Sequence, residues 1–250
     1  MAERIVWITG ASSGIGRAVA LEMARDGWRV VGSARRQEEL DELAAEGPAG
    51  RITGVAVDVT DLEATKAAAA RIEAEIGPID CAVLAAGTHI PTSAEDFRPE
   101  DFRKLVEVNV MGVVHATAAV LPGFKARRSG HLVVVASVAG YGGLPTAAGY
   151  GATKAALINF TEAMKFDLDD FGVKTQLVCP GFVKTPLTDK NPFPMPFLME
   201  VEDAAKAMVS GMKGGGFEIT FPKRFTTLVK IVSSLPYRLY FALVAKGTRG

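Results

Sequence analysis

Seven short apolar runs, at residues 5–9, 28–34, 52–58, 79–86, 131–137, 173–179 and 217–221, recur along the chain with polar-faced segments between them. Within the runs Val, Ile and Leu occupy successive rather than alternate positions, the pattern of strands buried on both faces. The intervening segments, such as 14–26, 37–46 and 62–76, carry their apolar residues at helical spacing. Strand and helix in alternation predict an α/β fold: a doubly wound parallel sheet of about seven strands, order 3-2-1-4-5-6-7, with helices on both faces. Ligands of such a sheet bind outside the strand C-termini, in the crevice where the order reverses.

Two longer segments extend the pattern. Residues 102–125 predict one long apolar-striped helix with Asn109 inside it, and an amide in that position is costly unless its hydrogen bonds are satisfied. Beyond residue 221, Phe225, Leu228, Val229, Val232 and Leu235 recur at helical spacing, Pro236 interrupts, and Leu239, Tyr240, Leu243 and Val244 begin a second stripe.

At 250 residues and 48% hydrophobic, the chain suits one large core, and it is read as a single domain over 1–250. Within it, 186–214 is expected to act as a substrate lid region and 222–250 to form a C-terminal helical extension. The lid expectation rests on Pro192, Pro194 and Pro196 interleaved with Phe193, Met195, Phe197, Leu198 and Met199, and an interface or core-covering loop is the alternative. Lys+Arg and Asp+Glu are both 28, a balance that gives no footing for nucleic acid. The distribution is uneven, because Lys223, Arg224, Lys230, Arg238, Lys246 and Arg249 follow Glu218 with no acidic residue among them. A basic amphipathic tail can lie weakly on an anionic membrane surface, or it can dock on its own domain or on a second subunit.

No long apolar stretch precedes the first strand, and Cys81 and Cys179 both fall in apolar runs, so a cytoplasmic protein with buried thiols is expected. His89, His115 and His131 lack metal-ligand spacing and read as loop or core histidines, and no metal site is expected.

The chemistry begins where the first strand runs into Gly10-Ala11-Ser12-Ser13-Gly14-Ile15-Gly16 at the start of a helix. Glycines there let the backbone turn tightly and approach a pyrophosphate, and the helix N-terminus offers it unpaired N–H groups. The second strand ends in Ser33-Ala34-Arg35-Arg36, with no acidic residue before Glu38 to bind ribose hydroxyls. Arg35, helped by Ser12 and Arg36, suits a 2′-phosphate, which favours NADP(H) over NAD(H); a solvated helix start is the alternative for the two arginines. In the predicted helix 148–170, Tyr150 and Lys154 stand four residues apart on one face, where an ammonium can lower the pKa of a phenol. Ser137 closes the fifth strand upstream.

Gly10, Gly14 and Gly16 spaced as T-G-x-x-x-G-x-G, with Asn109, Ser137, Tyr150, Lys154 and Pro180-Gly181 in one collinear order, resemble the short-chain dehydrogenase/reductase family. The resemblance covers residues 1–185 and, more loosely, the chain to 221. It implies a Rossmann-type domain in which Tyr150 is the acid/base, Ser137 bonds the substrate oxygen, Lys154 tunes the phenol and holds the nicotinamide ribose, and Asn109 helps hold a water linking the lysine to solvent. For the cofactor it implies Gly10, Ser12, Ser13, Gly14, Ile15 and Gly16 at the phosphates, and Asp58 with the Val59 N–H at the adenine. Ala86 and Gly87 would lie at the ribose, and Pro180, Gly181, the Val183 backbone and the Thr185 hydroxyl at the nicotinamide. An N-cap is the alternative for Asp58, equally open to Thr60. The fourth strand departs from the family's N-N-A-G, reading Leu84-Ala85-Ala86-Gly87, so apolar groups replace the bracing amides.

The expected activity is hydride transfer between NADP(H) and a carbonyl or secondary alcohol of an apolar substrate, with a homodimer or homotetramer as the assembly. A cofactor-binding sensor or scaffold without turnover is the alternative from another class. A nucleotide-sugar epimerase or dehydratase is a third, for whose separate sugar-nucleotide domain the chain has little room.

Overall fold

The computed structural model describes residues 3–188 and 195–249, without the side chains of residues 248 and 249. Strands β1 (Ile5–Thr9), β2 (Arg29–Ala34), β3 (Ile52–Ala56), β4 (Ile79–Leu84), β5 (Gly130–Val135), β6 (Val173–Pro180) and β7 (Glu218–Phe221) form one parallel sheet. Its order is β3-β2-β1-β4-β5-β6-β7, as the alternation of runs predicts. Helices α1 (Gly14–Arg25), α2 (Gln37–Glu46) and α7 (Val201–Lys213) cover one face, packing on Val6, Ile8, Val30, Val133 and Val178. Helices α3 (Leu62–Glu75), α5 (Gly112–Arg127) and α6 (Ala148–Asp170) cover the other, packing on Trp7, Val31, Ala82, Leu132 and Leu177. Neighbours along β1 therefore enter opposite cores, which is why the run shows no polar alternation. The Trp7 indole is fully buried and donates to Ser33 Oγ at 2.9 Å, so no polar atom of that ring is stranded.

Three strands stop short of their apolar runs. Val57 and Asp58, Ala85 and Ala86, and Ala136 and Ser137 lie past the ends of β3, β4 and β5, although the Val57 and Ala136 N–H groups still donate to Ala34 O and Val178 O, and the cleft is built from these ends. At the start of the second run, Trp28 lies before β2, its N–H bonded to Met23 O at the end of α1 and its ring under the Arg4 guanidinium.

The helix expected at 102–125 is longer and interrupted. It comprises α4 (Pro99–Val106), a π-helical segment (Glu107–Met111) and α5. The 29 residues are long and apolar enough by composition to cross a membrane, but Leu105, Val113, Ala116, Val120 and Phe124 are buried in the protein. Their apolarity is that of a core helix. The wider π turn carries the Gly112 N–H to Glu107 O and sets Gly112 against Val59, where a Cβ would lie 2.7 Å from the valine Cγ2.

After β7 the chain forms α8 (Lys223–Ser233) and α9 (Tyr237–Arg249), separated near Pro236 as the stripes predict. Only part of the striped faces is covered. Phe225, Val229, Val232, Leu235 and Val244 are half-buried and Tyr240 is buried, whereas Leu228, Leu239 and Leu243 are exposed, with Ile231, Tyr237 and Phe241 beside them in sequence.

Candidate active site

At the end of β1, Gly10 adopts φ +71°, and a Cβ there would sit 2.7 Å from Ala86 Cα. A Cβ on Gly16 would sit 2.3 Å from Gly10 O. Glycine is required at both points because backbone passes against backbone. The helix that follows starts at Gly14 with no side-chain cap from Ser13, so the N–H groups of its first turn are open to an anion, as a phosphate cradle requires. Where the apolar Leu84-Ala85 replaces two amides, the brace comes from β1: the Ala86 N–H donates to Thr9 Oγ1 at 3.3 Å.

Two chambers meet at Gly87 and Thr88, which line both. The larger, about 630 Å³, brings together Ser12, Ser33, Arg35, Arg36, Asp58 and Val59. It also contains Glu39, which sequence reasoning missed by looking for an acid only up to position 38. Helical spacing in α2 returns residue 39 toward Arg36, and the two form an ion pair. Hydrogen bonds from Arg36, the larger effect, and from Ser12 hold the Glu39 carboxyl below its ordinary pKa. Arg35 enters no ion pair among the described residues. Asp58 does not cap a helix; its Oδ1 accepts from the Thr60 N–H at 3.0 Å and the Thr60 hydroxyl at 2.8 Å. The N-cap of α3 is Asp61, which accepts from the Ala64 N–H at 2.9 Å, so neither Asp58 nor Thr60 fills the capping role left open for them.

The second chamber brings Ser137, Tyr150 and Lys154 together with Gly14, Ile15, Pro180 and Thr185. Ser137 begins a short 3-10 turn (Val138–Gly140), and its Oγ accepts from the Ala139 N–H at 3.1 Å. Tyr150 and Lys154 rise from the first turns of α6, the Lys154 Nζ lying 5.6 Å from the tyrosine ring centroid. Lys154 is 5% exposed and donates to Val135 O at 2.9 Å; burial lowers its pKa to about 8. Burial raises the Tyr150 phenol to about 12, and a hydrogen bond with Ser137 opposes the rise. The protein alone therefore holds the phenol above its ordinary value, in contrast to the depression expected from a neighbouring lysine, because desolvation of the phenolate dominates.

Asn109 is fully buried in the π-helical segment. Its Oδ1 accepts from the Thr88 N–H at 2.7 Å, and its Nδ2 donates to Thr88 O and to Thr153 Oγ1, each at 3.0 Å. It thus ties the Gly87-Thr88 junction to α6, and a Cβ on Gly87 would lie 3.4 Å from its Oδ1 and 3.6 Å from Lys154 Nζ.

The residues expected at the nicotinamide lie at the end of β6 and just beyond it. Gly181 donates its N–H to Phe221 O at 2.8 Å, and Val183 pairs with Met199 in an isolated parallel bridge. Thr188 Oγ donates to Val183 O at 2.6 Å and accepts from the Thr185 N–H at 3.0 Å. Of the residues on which the lid expectation rests, Pro192, Phe193 and Pro194 lie outside the described residues, while Pro196, Phe197 and Leu198 are exposed. His89, read from the sequence as a loop or core residue, stands edge-on to Tyr150 at 4.9 Å between ring centroids. No group of His, Cys, Asp and Glu that could hold a metal occurs among the described residues. The glycine cradle, the open helix end, the arginines of the larger chamber and the junction at Gly87 fit a dinucleotide.

A family model described as short chain dehydrogenase matches residues 4–193. An uncharacterized oxidoreductase of Myxococcus xanthus is 41% identical over 244 residues, 97% of this chain and 96% of that relative. That span takes in most of the C-terminal helices, which lie beyond the family match. Among solved structures, a short-chain dehydrogenase from Streptomyces avermitilis superposes with a TM-score of 0.82 at 28% identity, covering 92% of each chain. An alcohol dehydrogenase from the archaeon Thermococcus sibiricus complexed with 5-hydroxy-NADP gives 0.79 at 25% identity, covering 88% of this chain and 96% of that one. With the family model matched over most of its length and a relative 41% identical along nearly all of it, the protein belongs to the short-chain dehydrogenase family.

Proposed function

We propose that this oxidoreductase interconverts a carbonyl and a secondary alcohol of an apolar substrate, uses NADP(H) in preference to NAD(H), and employs Tyr150 as its acid/base. The observation that carries the reading is the convergence of Ser137, Tyr150 and Lys154 on a chamber joined at Gly87 to a second one lined by Arg35. The Gly10 to Gly16 loop and the first turn of α1 would hold the pyrophosphate, Arg35 the 2′-phosphate, and Asp58 with the Val59 N–H the adenine. Lys154 would hold the nicotinamide ribose, and the Val183 backbone and Thr185 the carboxamide. When bound, the nicotinamide supplies or accepts the hydride.

In reduction, Tyr150 gives its proton to the substrate oxygen as negative charge develops there, and in oxidation it takes that proton back. Ser137 Oγ bonds the same oxygen and fixes its position. A phenol held near 12 stays protonated at neutral pH, which suits the donor role. Base strength in the oxidative direction needs added positive charge, and Lys154, at about 8, remains largely cationic near neutrality. Asn109, through Thr88 and Thr153, keeps the floor of the site in register with α6.

Two further properties belong to this reading. Two buried, unpaired cysteines suit a reducing cytoplasm, and a homodimer or homotetramer is the proposed assembly. Weak, salt-sensitive attraction to anionic membranes is supported by exposed Leu228, Ile231, Phe241 and Leu243 in helices that also carry Lys223, Arg224, Arg238 and Lys246. The test is absorbance at the reduced-nicotinamide band, with a panel of apolar ketones and either NADPH or NADH. Turnover with NADPH is expected; tight NADPH binding without turnover on any carbonyl overturns the enzymatic reading.

A further inference from the structure

Tyr240 is 5% exposed in α9, a helix whose neighbouring Tyr237, Leu239, Phe241 and Leu243 face solvent. Its hydroxyl donates to Gly143 O at 2.6 Å. The ring lies so close to Gly142 that a Cβ there would be 2.7 Å from the hydroxyl oxygen and 3.1 Å from Cζ. The Gly142-Gly143 pair is thus a fitted seat for one side chain contributed from nearly a hundred residues downstream.

The seat belongs to the segment that joins Ser137 to the helix bearing Tyr150. Both ends of that segment are fixed by the body of the domain. At one end, Gly140 lies against the α6 backbone, with a Cβ position 2.7 Å from the carbonyl carbon of Lys154. At the other, Thr146 O accepts from the Thr92 N–H at 2.8 Å. Between them, the C-terminal helices hold the segment. Tyr240 grips Gly143, and Tyr141 donates to Glu218 Oε1 at 2.6 Å, while Glu218 pairs with Lys230 of α8. The Lys230 Nζ lies 5.4 Å from the Tyr141 ring centroid. Beside the catalytic chamber, Phe225 of α8 packs on Phe182 and Phe197, with centroids at 5.3 and 6.0 Å, and occupies the space a side chain at Gly181 would need.

We infer that Tyr240 is a positioning residue for substrate fit: by clamping Gly142-Gly143 it sets the wall that follows Ser137 and so decides which apolar carbonyls reach Tyr150. The inference rests on the oxidoreductase reading above. Neither chamber is lined by a residue of the tail, so Tyr240 acts only through the segment that links Ser137 to Tyr150, and the effect it is assigned is on substrate fit and not on cofactor binding. A hydroxyl lost from this seat frees a Gly-Gly segment that no longer has a hydrogen bond from outside at its centre, and such a segment opens readily.

The test compares wild type, Tyr240→Phe, Tyr240→Ala and Gly142→Ala, alone and combined with Tyr240→Ala. It reads amide hydrogen exchange of the peptide covering residues 138–147, NADPH affinity by fluorescence, and reduction of acetophenone and cyclohexanone. Tyr240→Phe should speed exchange in that peptide by about five- to tenfold and leave NADPH affinity within about twofold. It should raise KM for the ketones several-fold while kcat stays within about twofold. Gly142→Ala should have the same effects in wild type and little further effect in the Tyr240→Ala background, where its clash has been removed. Unchanged exchange in both Tyr240 variants overturns the inference, as does a loss confined to kcat. If wild type reduces neither ketone the oxidoreductase reading fails on that probe, and the exchange data and the Gly142/Tyr240 coupling still decide whether the clamp exists.

Discussion

Tyr150 and Lys154 are both buried, and burial acts on them in opposite senses, raising the phenol to about 12 and lowering the ammonium to about 8. Tyr150→Phe removes the proton and little else, so NADPH binding should survive while turnover falls by roughly 10² or more. Near-normal turnover by the Phe variant, measured by reduced-nicotinamide absorbance, would sink the acid/base assignment. For Lys154 the pH consequence has a definite sign. The folded value is below the ordinary 10.5, so between about 8 and 10.5 the unfolded chain binds more protons and stability rises with pH. Below 8 the full desolvation penalty is present. Urea denaturation of the cofactor-free protein should therefore show wild type gaining on Lys154→Met as pH rises through this window, by up to about 3 kcal/mol. A stability difference between the two that is flat from pH 8 to 10.5 contradicts the burial argument.

The junction of β2 with α2 decides more than its own sequence suggests. The strand delivers Arg35 and Arg36 to the larger chamber, and the helix then returns Glu39 to the same place, where Arg36 offsets its charge. Arg35 enters no ion pair among the described residues, although its charge also reaches Glu39, and it is the arginine proposed to meet a 2′-phosphate. Arg35→Asp should weaken NADPH relative to NADH by about 1.5–3 kcal/mol, through a lost charge-assisted bond and added repulsion. Equal weakening of both cofactors in fluorescence titrations would show that the arginine does not read the phosphate. The π-helical segment is a second case of an element acting at a distance. It carries Asn109 to the Thr88 backbone and Thr153, bonds that make a buried amide affordable in an otherwise apolar helix.

Across the whole molecule, the two C-terminal helices reach the segment between Ser137 and α6 through Tyr240 and Lys230, and reach Gly181 of the catalytic chamber through Phe225. A variant ending at Phe221 should lose solubility or assembly in size-exclusion chromatography, since the surfaces under Phe225 and Tyr240 are uncovered. The full chain should sediment weakly with anionic vesicles at low salt and not at high salt. An unchanged, soluble truncated species removes the packing role, and no vesicle binding at low salt removes the membrane reading. The strand and helix alternation, the glycine cradle and the helical pairing of Tyr150 with Lys154 were legible in the sequence, because they follow from local periodicity and from turn chemistry within a few residues, and the sheet order was expected only by way of the fold class that the alternation implies. Even there the runs overshot β3, β4 and β5, since hydrophobicity continues into the cleft beyond the last paired residue of each strand. The partners of Asn109 lie 21 and 44 residues away, and the seat of Tyr240 lies 97 residues away. His89, beyond the end of β4, meets Tyr150 in the first turn of α6, and Leu228 faces water although it belongs to an apolar stripe. These were decided only by the tertiary structure, because a one-dimensional pattern gives the face a residue occupies on its own element and not which distant element that face will meet.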